Sequence, residues 1–235
     1  MTMQENEPSP LETALSIIRQ DSYPTDSKIN ALLYMVEKYE PGLCLPAFID
    51  ILNDDSHSPD LRNAAALALG RVGGKTGLDE LLSLLEGEDK ALRLFAIQGL
   101  GFTQDAKSIP VLIAALNDED NTIFQAAAES LGKLGQLAIT PLISLLSSAH
   151  SEDIRCIAAW QLGVLKAKEA LPPLLTIIQT ADNEDLIALA IWASGEIGVS
   201  ESGINQALRE AKQSESPAIS ERAALAIKKI ARHNN

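Results

Sequence analysis

Few residues in this chain could carry chemistry, and spacing decides what each can do. Gly70-Arg-Val-Gly-Gly-Lys75-Thr76 superficially resembles a phosphate-binding loop, whose backbone N–H groups cradle phosphate oxygens. That motif needs four residues between its first glycine and Gly-Lys-Thr, and a strand before it. Here there are three, and residues 61–69 read as a helix, so the stretch is an inter-helix turn with Gly70 as a C-cap. His57, His150 and His233 fall in predicted loops or the tail. None forms a His-Glu pair, and no Cys/His cluster has zinc spacing, so no metal site is expected. Nothing points to Ser-His-Asp or Cys-His catalysis. Cys156 could act as a nucleophile only as a thiolate, and no histidine or cluster of positive charge near it in sequence lowers its pKa. Its expected role is that of a small buried hydrophobe. What stands out is Trp160 and Trp192, the two tryptophans of the chain.

The elements that must position these residues are repeats. Glycines recur at 70, 101, 132, 163 and 195, in steps of 31, 31, 31 and 32 residues. Five residues before each stands an alanine: Ala65, Ala96, Ala127, Ala158 and Ala190. Nine before stands Leu61, Leu92, Ile123, Ile154 or Leu186, and twelve before a good helix cap, Ser58, Asp89, Asp120, Ser151 or Asn183. The apolar columns fall on one helical face, and the constant alanine predicts helices that approach closely. A second segment opens about nine residues after each glycine, with Pro110, Pro141 and Pro172 at its first turn. Each unit is therefore an αα hairpin that buries its apolar face only against its neighbours.

The pattern cap-x-x-Ile/Leu-x-x-x-Ala-Ala-x-x-Leu-Gly-x-Leu-Gly … Pro-Leu-Ile-x-Leu-Leu resembles the HEAT-like repeat of the phycobilisome-lyase type, over about residues 28–232. The expected fold is all-α: a right-handed α-solenoid of about six HEAT-like hairpins with capping helices at both ends. Residues 1–9 read as a disordered acidic N-terminus and 10–235 as one uninterrupted solenoid. The first repeat, 28–55, is degenerate, with Glu37 and Tyr39 at its Leu-Gly ending and Pro46 opening its second segment. The last segment, 216–232, places Lys228 in the glycine column, and Lys228, Lys229 and Arg232 complement the helix dipole.

In solenoids of this kind the helix bearing these columns lines the concave surface. The column three before the glycine, usually a solvated residue in this repeat class, reads Leu67, Gln98, Glu129, Trp160 and Trp192. One turn earlier it reads Asn63, Leu94, Gln125, Cys156 and Ala188; one residue past the glycine come Arg71, Phe102, Lys133, Val164 and Glu196. Trp160, Trp192, Cys156, Val164 and Ala188, with Phe102 and Leu94 in earlier repeats, are the expected partner-binding residues, because aromatic clusters in a groove mark binding hot spots. Arg62, Arg93 and Arg155 share a column eight before the glycine and are expected to pair with carboxylates of neighbouring loops.

Charge narrows the partners. A net charge of −13 and a pI near 4.6 oppose nucleic acid and anionic membrane surfaces. No apolar run reaches the roughly eighteen residues of a spanning helix, no signal pattern opens the chain, and Cys44 and Cys156 are too far apart in a stacked array to form a disulfide. A cytoplasmic protein without membrane insertion is expected. The leading expectation for function is a non-catalytic scaffold holding a protein partner, such as a phycobiliprotein or a second HEAT-like chain, with no resident cofactor. A further alternative is an accessory role in another cofactor-delivery pathway. The resemblance implies an alternative: a phycobilin lyase subunit that attaches or isomerises a linear tetrapyrrole on a phycobiliprotein cysteine, with the tetrapyrrole a transient ligand of the same groove and Cys156 a conceivable acceptor.

Overall fold

The computed structural model describes residues 8–148 and 151–233, and every regular element in them is helical. The expectations for residues 1–7 and for His150 lie outside the described residues. The helices are α1 (Pro10–Arg19), α2 (Thr25–Lys38), α3 (Pro41–Asn53), α4 (Pro59–Val72), α5 (Gly74–Ser83), α6 (Lys90–Leu100), α7 (Ser108–Ala115), α8 (Asn121–Lys133), α9 (Ile139–Ser148), α10 (Glu152–Val164), α11 (Leu171–Thr180), α12 (Glu184–Ile197), α13 (Ser202–Ala211) and α14 (Pro217–His233). They form the α-solenoid that the columns imply. Contacts group the chain into two units, 1–134 and 135–235. The division falls between α8 and α9, within the fourth repeat, where the sequence reads one continuous array.

Local chemistry sets the starts of the first helix of each repeat. Ser58, Asp89, Asp120, Ser151 and Asn183 each precede a helix and accept a hydrogen bond from a backbone N–H of its first turn. Each such cap stabilises its helix by about 1 kcal/mol. Ser9, in the stretch expected to be disordered, also caps: its side chain and that of Glu12 form a reciprocal capping box on α1. The caps are linked within each unit. In unit 1, Thr25 Oγ1 reaches Ser58 Oγ at 3.4 Å, Arg62 lies 3.9 Å from Asp89, and Lys90 lies 3.9 Å from Asp120. In unit 2, Asn183 donates to Glu152, and Ser216 donates to Glu184 at 2.9 Å. Exposed links of this sort are individually weak, so they set the register of neighbouring helices more than their stability.

The alanine column is fully buried in all five repeats, and Ala223 continues it in α14. The glycine column closes a helix only at Gly101, the C-cap of α6. Gly70, Gly132, Gly163 and Gly195 lie inside the last turns of α4, α8, α10 and α12, and Gly101 follows α6 with a right-handed φ of −63°. The role of Gly70, Gly101, Gly163 and Gly195 is close approach. A Cβ on Gly70 would sit 2.0 Å from the Gly99 carbonyl oxygen, one on Gly101 2.8 Å from Ser130 Cα, and one on Gly163 2.9 Å from Ala193 Cα. The partner column, two before the glycine, is correspondingly small in most repeats: Ala68, Gly99, Ser130, Ala193 and Ala226. At Gly70 the backbone continues as helix to Val72, and Gly73 takes the cap position.

Two more expectations change. Pro46 lies inside α3, which starts at Pro41 on the first-turn proline expected five residues later. The arginine column acts chiefly on carbonyls: Arg62 Nε donates to Leu52 O at 2.9 Å, Arg93 to Gly87 O at 2.9 Å, and Arg155 Nε to Leu146 O at 3.1 Å. Helix ends leave carbonyls without intrahelical partners, and a guanidinium in the next helix satisfies them while complementing the dipole. Of the three, Arg62 also reaches a carboxylate, that of Asp89.

Candidate functional site

In unit 2 the row α10, α12, α14 packs more tightly than the row α9, α11, α13. The glycine column makes this possible, since Gly163 and Gly195 admit Ala193 and Ala226 to within what would be a steric clash for any side chain. Along the exposed face of that row the sequence periodicity delivers its stripe. Cys156, Trp160 and Val164 stand one turn apart on α10; Trp160 is 43% and Val164 51% exposed, while Cys156 is half-buried. Trp192 on α12 is half-buried because its ring packs over Gly163, where a Cβ would meet Cζ3 at 2.7 Å. Ala188, expected beside them, is 4% exposed: its short side chain stays beneath the surface and offers a partner almost nothing.

The stripe continues onto α14. Counting three back from Lys228, which stands in the glycine column, gives Leu225 on α14, 66% exposed and the most exposed large hydrophobic residue described. Trp192, Leu225, Arg222, Glu196 and Lys229 line a cleft of about 190 Å³ between α12 and α14. Glu196 and Lys229 form an ion pair across it. Arg222 is exposed, three residues before Leu225 on the same face.

The one thiol on this surface is not activated. Burial, followed by the carboxylates of Asp153, Asp185 and Glu152, pushes the Cys156 thiol up from its ordinary range, with Arg155 opposing only in part. The thiol is therefore protonated near neutrality and a poor nucleophile. Both cysteines are free, and Cys44 is buried. Among the described residues, no group of histidine, cysteine, aspartate and glutamate side chains could hold a metal ion, and no helix is long and apolar enough to cross a membrane. His57 lies 3.9 Å from Asp54, and His233 bonds to the Lys229 carbonyl within its own helix.

The two remaining candidates lie in unit 1. Leu94 is half-buried on α6. Phe102 is half-buried as well, and its ring is already engaged: Arg71 Cζ and Lys133 Nζ each lie 4.9 Å from its centroid. Cation–π contacts of this kind fasten three successive repeats of unit 1 together, and they leave the ring a support rather than an open contact. Unit 1 also holds a larger cleft of about 570 Å³ between α1 and α2, lined by Pro10, Ala14, Ile17, Ala31 and Tyr34. It has no charged side chain to orient a ligand, and no sequence column pointed to it.

The family described as HEAT repeats matches residues 78–155, and the PBS lyase HEAT-like repeat matches residues 61–87 and 154–180. The bilin biosynthesis protein PecE of Nostoc sp. is 35% identical over 119 residues, covering 50% of this chain and 47% of that protein. The uncharacterized phycocyanin operon protein Z of Pseudanabaena tenuis is 36% identical over 61 residues, covering 26% of this chain and 30% of that protein. The chain thus spans less than half the length of these relatives. Among solved structures, the archaeal HEAT-like repeats protein from Thermococcus onnurineus superposes with a TM-score of 0.55 at 16% identity, covering 97% of this chain and 99% of that one. That likeness concerns the fold alone. By fold and by repeat signature, the chain is a HEAT-repeat α-solenoid carrying repeats of the PBS lyase HEAT-like type.

Proposed function

We propose that this chain is a bilin-handling subunit of the lyase type. Unit 2 holds a linear tetrapyrrole against the Trp160–Trp192–Leu225 stripe while the pigment is attached to, or isomerised on, a phycobiliprotein cysteine. The observation that carries this reading is the stripe itself: an exposed indole, a half-buried indole and an exposed leucine on successive helices of the tighter row. Helices pack about 8–10 Å apart, so the stripe suits an elongated, flat, apolar ligand. Relatives named as bilin biosynthesis proteins support the choice of ligand. The nucleophile in this scheme is the acceptor protein's thiol, because Cys156 is held protonated. The pigment is a transient ligand, and the partners are a phycobiliprotein and a second HEAT-like chain.

A second reading follows from the ion pair between Glu196 and Lys229, which engages the one carboxylate lining the cleft. In it the same surface holds a phycobiliprotein without chemistry, as a scaffold or delivery factor. One titration separates the two. The purified chain is mixed with a free bilin, following visible absorbance and tryptophan quenching. Saturable binding is expected, weakened at least tenfold in the Trp160→Ala/Trp192→Ala variant, since each lost aromatic contact costs about 1 kcal/mol. Equal binding by a variant with unchanged helical signal overturns the pigment reading. Capture of phycobiliprotein without pigment binding favours the scaffold.

A further inference from the structure

We infer that Arg222 is the carboxylate anchor of the α12–α14 cleft and takes a propionate of the tetrapyrrole. This inference rests on the bilin reading and deepens it. The argument starts from charge. On a chain of net charge −13, α14 carries Arg222, Lys228, Lys229 and Arg232 against a single carboxylate, Glu221. Lys228, Lys229 and Arg232 sit toward the C-terminus of the helix, where the dipole favours cations. Arg222 does not. It is the sixth residue of α14, nearer the positive end, so its charge there needs another explanation.

Its surroundings supply one. Arg222, Leu225 and Lys229 lie on one face of α14 and, with Trp192, line the same cleft. The cations differ in commitment: Lys229 is held by Glu196, which also neutralises the one carboxylate lining the cleft. Arg222 is exposed and, among the described residues, has no carboxylate within ion-pair distance. A planar guanidinium offers a forked pair of donors matched to a carboxylate. The cleft thus joins an apolar lining, Trp192 and Leu225, to one open anion site. A ligand that fills both has a flat apolar body and a flexible carboxylate arm. A linear tetrapyrrole bearing propionates meets that description.

The test uses biliverdin and its dimethyl ester, which share the conjugated body and differ in the carboxylates. Dissociation constants are measured for the full chain, for Arg222→Gln, and for Arg209→Gln, an exposed cation on α13 away from the cleft. The unaltered chain is expected to prefer the diacid by roughly tenfold. Arg222→Gln should abolish that preference and leave ester binding unchanged, and Arg209→Gln should keep it. If Arg222→Gln retains the preference, or Arg209→Gln loses it equally, the anchor is wrong. If the unaltered chain binds diacid and ester alike, the anchor falls while the bilin reading stands. If it binds neither, both fall.

Discussion

The glycine column offers the sharpest test of how this fold is held together, through the substitution Gly70→Ala. A C-capping glycine in a turn and a glycine at a helix crossing respond oppositely to an added methyl. At Gly70 the new Cβ would lie 2.0 Å from the carbonyl oxygen of Gly99 and 2.8 Å from its carbon, whereas ordinary contact begins at 3.4 Å. The obstacle is backbone, which cannot rotate aside, so α4 and α6 must part by about an ångström. That opens the contact where Ala65, Leu69, Ala96 and Leu100 are fully buried. Overpacking of this type costs about 1–3 kcal/mol, and the alanine's helix propensity returns at most about 1 kcal/mol. With the full return the expected net loss is up to about 2 kcal/mol. Gly42 in α3 is the matched control within the same unit, because nothing lies within 4 Å of a Cβ there; Gly42→Ala should be neutral or stabilising by up to about 1 kcal/mol. Urea unfolding followed by circular dichroism measures both, compared at unchanged m because repeat arrays do not always unfold in one step. A Gly70→Ala protein as stable as Gly42→Ala would refute the close-approach account.

The remaining predictions concern titration. Hydrogen bonds from the Thr122 side chain and backbone, with Lys90 adding a smaller contribution, hold the Asp120 carboxyl below its ordinary range. A depressed folded-state pKa contributes stability above the unfolded value that is lost as pH falls toward the folded one. The unaltered chain should therefore lose stability on acidification more steeply than Asp120→Asn, which keeps an acceptor at the cap; parallel acid curves would count against this. Cys156, with its raised pKa, should react with iodoacetamide more slowly than a free thiol at pH 8, and Asp153→Asn/Asp185→Asn should speed the reaction by removing two of the carboxylates responsible. Alkylation faster than free cysteine at neutral pH would restore Cys156 as a candidate nucleophile.

How much of this was legible in the chain differs from column to column. Local chemistry was readable outright. Ser58, Asp89, Asp120, Ser151 and Asn183 cap helices because capping depends on a side chain and the backbone a few residues on. The fully buried alanines and the tryptophan stripe were readable too, since a fixed repeat length places equivalent residues at equivalent positions. Leu225 was within reach by the same count from Lys228, but the break in the glycine column hid it. The sequence by itself determined which residues share a column and which face of a helix each column occupies. The tertiary structure decided what lies opposite each column. Only packing shows that Gly70 makes room for Gly99 rather than turning the chain, that the arginines reach carbonyls of the preceding helix, and that Ala188 sits beneath the surface. Only packing brings Arg222 and Lys229 to one cleft with Trp192. The glycine crossing and the cleft rest on distances between residues some thirty positions apart, and the arginine contacts on residues nine or ten apart across a turn; periodicity fixes phase but not separation.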